Sequence, residues 1–169
     1  MANFTLRAGT TARRESGFTL IEVLVSLVVL SIGLLGIGKL VIFSARANDS
    51  AYLRGQATEL AYEILDNMRA NRQVAVTQGY DVALATVPTN PGSCAGAACT
   101  SAVMGAYDVY TWKTRLAALP SGQGSVATAG TPTTATITVQ WDDAAAQSTF
   151  AGVAVGVAAP ESVVLETVL

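Results

Sequence analysis

The sequence predicts an α+β protein in which a long N-terminal helix packs on a small antiparallel β-sheet. Between Phe18 and Gly38, 21 residues include one charged side chain, Glu22. After this run, apolar residues recur with the period of a helix. In the last third of the chain apolar and polar residues alternate, as they do in half-buried strands. We expect an N-terminal stretch (1–17), an apolar transmembrane half-helix (18–43), an amphipathic half-helix (44–72) and a globular head with a C-terminal sheet (73–169).

The composition argues against an enzyme. The 169 residues are 51% hydrophobic and 13% charged, and they include no histidine. The commonest acid–base residue and metal ligand is therefore missing. Phosphate-binding glycine loops and nucleophile-elbow motifs are also absent. We expect no catalytic residues, no metal, no cofactor and no small-molecule substrate.

Positive charge is concentrated ahead of the apolar run. Residues 1–17 contain three arginines and one glutamate, whereas the rest of the chain has a net charge of −4. Basic residues flanking a membrane segment stay in the cytoplasm. We therefore expect a single-pass protein with its N-terminus inside and its head exported.

The apolar run is long enough to span a bilayer, at about 30 Å for 21 residues. A secretory signal has a shorter apolar region, followed by a small-residue cleavage site. Here the chain continues as "GKLVIFSARAND". A plain membrane anchor explains the run but gives no purpose to Glu22, because an intramembrane carboxylate is costly and needs a partner.

The segment "ESGFTLIEVLVSLVVLSIGLLGIGKL" resembles the N-terminus of type IV pilins and the related pseudopilins. The resemblance implies a ladle-like pilin fold. It also implies that a prepilin peptidase cleaves between Gly17 and Phe18 on the cytoplasmic side and then N-methylates Phe18. Glu22 corresponds to the glutamate that, in this family, meets the terminal amine of a neighbouring subunit during assembly.

Cleavage would create a cationic amine at Phe18, at the edge of the apolar zone, with the Glu22 anion inside it. Each charge is costly alone, and pairing lowers both costs. The two residues are four positions apart, so the pair could form within one chain or between neighbours. The alternative is an unpaired Glu22 that faces water at the interface.

The helix is expected to continue to about Arg72. After the membrane segment, apolar residues recur at the spacing of one helical face: Ala57, Leu60, Ala61, Ile64, Leu65 and Met68. Most of the charged residues between them fall outside this face. The second half of the helix should therefore bury one stripe against the head.

Residues 74–106 are rich in Pro, Gly, Ser, Thr and Ala and are predicted to form a long surface loop. Cys94 and Cys99 are the two cysteines of this exported segment, so a disulfide between them is expected. Two thiols without histidine, in a C-x4-C spacing, match neither a zinc site nor a redox motif.

A short second helix is predicted to begin at Asp108 as its N-cap and to stop at Pro120 and Gly122. Its buried face has the members Val109, Trp112, Leu116 and Leu119. Strands are predicted at "GSVATAG", "TATITVQW", Phe150–Val157 and "SVVLETVL". In the second of these, Ile137, Val139 and Trp141 face inwards. Asp142 and Asp143 then form a turn and not an acid–base pair.

This combination of helix and strand resembles minor pilins more than major pilins. It implies a structural subunit, needed for pilus assembly and hence for twitching motility and adhesion, in the inner membrane of a Gram-negative bacterium and later in the filament or at its tip. Its partners would be the prepilin peptidase, other minor pilins and the major pilin. A type II secretion pseudopilin, a tip-displayed adhesin and an anchored periplasmic domain remain alternatives.

Nucleic acid is not an expected partner, because the head is acidic overall. One patch would change this view if the two helices met. It would combine basic and aromatic side chains as single-strand binders do: Arg69, Arg72, Lys113 and Arg115 with Tyr107, Tyr110 and Trp112.

Overall fold

The computed structural model describes residues 17–92, 94, 98–143 and 160–169. Within them lie three helices and three strands: α1 (Leu20–Ala70), α2 (Arg72–Ala75), α3 (Ser101–Leu116), β1 (Gln123–Ala129), β2 (Thr134–Trp141) and β3 (Glu161–Val168). The chain divides into two compact units, Met1–Ile42 and Phe43–Leu169. The boundary falls within α1.

The part of α1 in the first unit is apolar on all sides. Every residue from Gly17 to Ile42 is exposed in the isolated chain. By length and composition alone, this part of the helix is sufficient to cross a membrane. So large an uncovered apolar surface requires a bilayer or other protein around it.

The part of α1 in the second unit is amphipathic, as the periodicity predicts. Its buried residues are the six predicted: Ala57, Leu60, Ala61, Ile64, Leu65 and Met68. They belong to one core with buried residues of α3, β1 and β2. Full burial of a Leu, Ile or Met side chain stabilises the fold by about 1.5–3 kcal/mol, so this stripe is the main attachment of α1 to the head.

The start predicted for the second helix was wrong. α3 begins at Ser101, seven residues before Asp108, and Thr100 is its N-cap, with a side-chain oxygen that accepts the Val103 amide at 3.3 Å. The residues from Ser101 to Ala106 were assigned to a loop because they are rich in Ser, Ala and Gly. Gly105 has a packing role, because a Cβ there would lie 3.2 Å from the Tyr80 ring.

The predicted buried face of α3 is confirmed. Val109, Trp112 and Leu116 are buried on the helix, and Leu119 is buried just after it. Trp112 also donates its indole Nε1–H to the carbonyl of Leu60 in α1, at 2.9 Å. The helix therefore contacts α1 through both an apolar face and a buried hydrogen bond.

The described strands form an antiparallel meander in the order β1-β2-β3. Strands were predicted at all three places, and β2 alternates as expected, with Ile137, Val139 and Trp141 buried. The predicted strand at Phe150–Val157 lies outside the described residues. The sheet and both longer helices supply the core, as expected for an α+β fold.

The meeting of α3 and β1 depends on Gly124. A Cβ at this position would lie 2.6 Å from both Leu116 Cδ1 and Trp112 Cη2, so a side chain there would separate strand and helix. Beside it, the Lys113 ammonium donates to the carbonyl oxygens of Ala83, Leu84 and Gly124. Burial lowers the pKa of Lys113. These bonds attach the segment after α2 to both elements.

A polar contact inside the head joins Tyr80 to α3. The buried Tyr80 hydroxyl donates to Oδ2 of Asp108 at 2.7 Å. Burial, then the hydrogen bond to Asp108, raise the pKa of Tyr80 above its ordinary value. Burial also raises the pKa of Asp108, which the hydrogen bond partly offsets.

Replacing Tyr80 by Phe should lower the free energy of unfolding by about 1–3 kcal/mol at pH 7, because a half-buried carboxylate loses its donor. The pKa of Tyr80 is higher in the folded state than in the unfolded state, where it is about 10. The contribution of Tyr80 to stability is therefore fully present below about pH 10 and decreases as the pH rises above that value. The difference between wild type and Tyr80→Phe should therefore shrink above about pH 10.

Urea unfolding in detergent, followed by tryptophan fluorescence, measures both effects. The exposed Tyr62→Phe is the matched control and should leave stability unchanged at either pH. A Tyr80→Phe deficit of the same size at pH 7 and at about pH 11 would contradict the account.

Candidate processing and assembly site

The Gly17–Phe18 peptide bond lies outside the helix. Residues 17–19 are not helical, and α1 begins at Leu20. Thr19 is the N-cap: its hydroxyl oxygen accepts the Glu22 amide at 3.3 Å, and its carbonyl accepts the amides of Glu22 and Val23 at 3.1 and 3.3 Å. A peptide bond in exposed, non-helical backbone is accessible to a peptidase.

Glu22 occupies the third position of the first helical turn. Thr19 and Glu22 together form the T-x-x-E pattern of a capping box. The pattern is readable from the sequence, but among the described residues the Glu22 carboxylate does not accept the Thr19 amide. A carboxylate here also faces the positive end of the helix dipole, which stabilises the first turn.

The Glu22 carboxylate has no ion pair among the described residues. Gly17 and Phe18 are exposed on the same end of the first unit, and 83% of the Phe18 surface is accessible. The three predicted residues therefore lie together, at the start of the apolar helix.

The two serines in the apolar half of α1 are bonded within the helix. Ser26 donates its hydroxyl to the carbonyl of Glu22 at 2.6 Å, and Ser31 donates to that of Leu27 at 2.7 Å. Such bonds to the preceding turn are the usual way for serine to enter an apolar helix. Glu22 therefore differs from these serines, since its side chain has no comparable bond in the described chain.

The predicted disulfide is present between Cys94 and Cys99. It lies just before the Thr100 cap of α3, and Asn71 donates its side-chain amide to the Ser101 carbonyl at 2.7 Å. The bond therefore closes a small loop next to the start of α3. The described residues contain no cluster of three or more acidic, histidine or cysteine side chains that would hold a metal.

Each cation of the suspected basic patch has a bonding partner in the structure. Arg69 pairs with Asp66, Arg115 pairs with Glu63, and Arg72 donates to the main-chain oxygen of Leu169. Lys113 is held by its three carbonyls, and Trp112 is buried. The cations that would hold phosphate groups already have partners. The buried Trp112 ring is not available to stack on a base.

Comparisons with known proteins match two family models along the chain. Residues 12–38 match the family model described as the prokaryotic N-terminal methylation motif. Residues 40–110 match the model described as type IV pilin Tt1218. Neither a curated protein nor a solved structure matches the chain significantly.

The first matched range includes Gly17, Phe18 and Glu22, and the second reaches from α1 into α3. Strands β1 to β3 lie beyond both ranges. Over the matched ranges the chain thus carries an N-terminal methylation motif followed by a segment that is similar to a type IV pilin family, and its α+β fold is consistent with a type IV pilin.

Proposed function

We propose that this chain is a minor pilin of the PilV type, a structural subunit in the complex that primes type IV pilus assembly. The observation that carries the proposal is α1. One continuous helix has an apolar, uncovered first half and a second half with a single stripe buried in the head. The match of residues 40–110 to a pilin family favours a pilus over a type II secretion machine.

The charge distribution supports the order of events. Arginines ahead of the apolar run hold the N-terminus in the cytoplasm, so the head is exported across the inner membrane. A prepilin peptidase then cleaves after Gly17 and methylates Phe18. Residues 18–43 remain in the bilayer until the subunit enters the filament with other minor pilins and the major pilin. Twitching and adhesion would follow from piliation.

Glu22 supplies the docking step in this scheme. Its carboxylate lies in an apolar segment, where a charge without a partner is costly. The amine that cleavage exposes at Phe18 supplies a matching cation near the edge of the same apolar zone. Pairing between neighbouring subunits would reduce both costs and set the axial step between them.

The mature chain should begin at N-methylated Phe18. Intact-mass and N-terminal peptide mass spectrometry of the protein from membranes and from sheared filaments would measure this. The spectrum should also show one disulfide between Cys94 and Cys99. A chain that retains Met1 in the filament fraction would remove the basis of the proposal.

Glu22→Ala should leave membrane insertion and cleavage intact but reduce the amount of the chain in sheared filaments by at least about tenfold, the effect of one lost charge pair of roughly 1.4 kcal/mol. Ser26→Ala, one turn further along, is the matched control, because that hydroxyl bonds within its own helix. Incorporation of Glu22→Ala at the wild-type level would show that the carboxylate has no role in docking.

A further inference from the structure

The outer side of α1 in the second unit carries a stripe of two tyrosines, a glycine and a glutamate. Tyr52, Gly55, Glu59 and Tyr62 follow a spacing of three, four and three residues, so they lie on one helical face. All four are exposed, with 66% of Tyr52 and 50% of Tyr62 accessible. We call this set the tyrosine–acid stripe; it lies away from the buried stripe.

The two exposed tyrosines are the feature of this face that indicates an interface. Tyrosine is enriched where proteins meet, since it offers a large apolar ring with a polar end. The Tyr52 hydroxyl accepts a hydrogen bond from the Gln56 amide at 2.9 Å, which holds its ring in place. A Cβ on Gly55 would meet no atom within 4 Å, so a partner's backbone can approach closely between the tyrosines.

Charge decides which partner fits. Glu59 has no ion pair among the described residues. A second copy of this chain would need a free cation on its head to complement it. From Phe43 onwards the chain has six basic and ten acidic side chains, and all of them lie in the described part.

All six of these cations are already engaged. Arg54, Arg69 and Arg115 pair with Glu161, Asp66 and Glu63. Arg72 and Lys113 are bonded to carbonyls, and Arg46 also has a partner. A copy would therefore bring a net charge of −4, and each of its cations would have to leave an existing partner to reach Glu59; both effects oppose self-association through this stripe.

We propose that the tyrosine–acid stripe docks a different protein subunit, one that places a lysine or arginine side chain opposite Glu59 and a flat apolar surface against the two tyrosines. This rests on the proposed function and extends it. It gives a physical reason for the chain to be a hetero-assembling subunit and not the repeating unit of a homopolymer.

The test is site-specific photocrosslinking in the full-length chain, expressed in its own bacterium in two differently tagged copies. Tyr62→p-benzoylphenylalanine places the probe in the stripe. The expected adduct joins this chain to another protein with an N-terminal methylation motif, at a peptide adjacent to a lysine or arginine. Adding Glu59→Lys should reduce the adduct at least about tenfold through like-charge repulsion.

Glu166→Lys is the matched control, because Glu166 is an exposed acid on the outward face of β3. It should leave the adduct unchanged. Glu59→Gln serves as the second variant if Glu59→Lys lowers the cellular level of the chain, and it should reduce the adduct by several-fold.

Three results would overturn the inference: an adduct between the two tagged copies, no adduct from filaments that contain the chain, or an adduct that both Glu59 variants leave unchanged. Failure of the proposed function has a different signature. In that case the wild-type chain is not cleaved at Gly17 or does not enter filaments, whatever the crosslinks show.

Discussion

The uncovered apolar surface of α1 is the constraint on which the rest of the molecule depends. Between Phe18 and Phe43, eighteen large hydrophobic side chains are exposed. At about 1.5–3 kcal/mol for each, leaving them in water costs on the order of tens of kcal/mol. That exceeds the net stability of a typical domain, about 5–15 kcal/mol. The segment must therefore always be covered, first by lipid and, on our proposal, later by other subunits.

Such a helix needs a defined start and an attachment to the head through its second half. Thr19 supplies the start and keeps the Gly17–Phe18 bond in non-helical backbone. Within the second unit, the later stripe of α1 is held by the shared core and by the Trp112–Leu60 hydrogen bond. Ser50 adds a contact from α1 to the end of β2 by donating its hydroxyl to the buried Asp143 at 2.6 Å.

Periodic features could be predicted from the sequence, whereas long-range polar contacts could not. The buried stripe of α1 and the alternation in β2 follow from local spacing, so their residues were identified. Asp108 was interpreted locally as an N-cap, but its partner is Tyr80, 28 residues away. The carbonyls that bind Lys113, and the partners Ser50 and Asp143, are likewise distant from one another in sequence. The start of α3 was missed because its first residues have the composition of a loop.

The central claim is that cleavage creates the partner of Glu22. Solid-state NMR on filaments measures the distance from the ¹³C-labelled Glu22 carboxyl of this chain to ¹⁵N-labelled N-terminal amines. Labelling the amine of this chain alone reports pairs within the chain, and labelling the amines of the other subunits alone reports pairs between neighbours. The account predicts a dipolar coupling that corresponds to an ion pair, with nitrogen and oxygen about 3 Å apart. The absence of that coupling in mature filaments, both within and between chains, would contradict it.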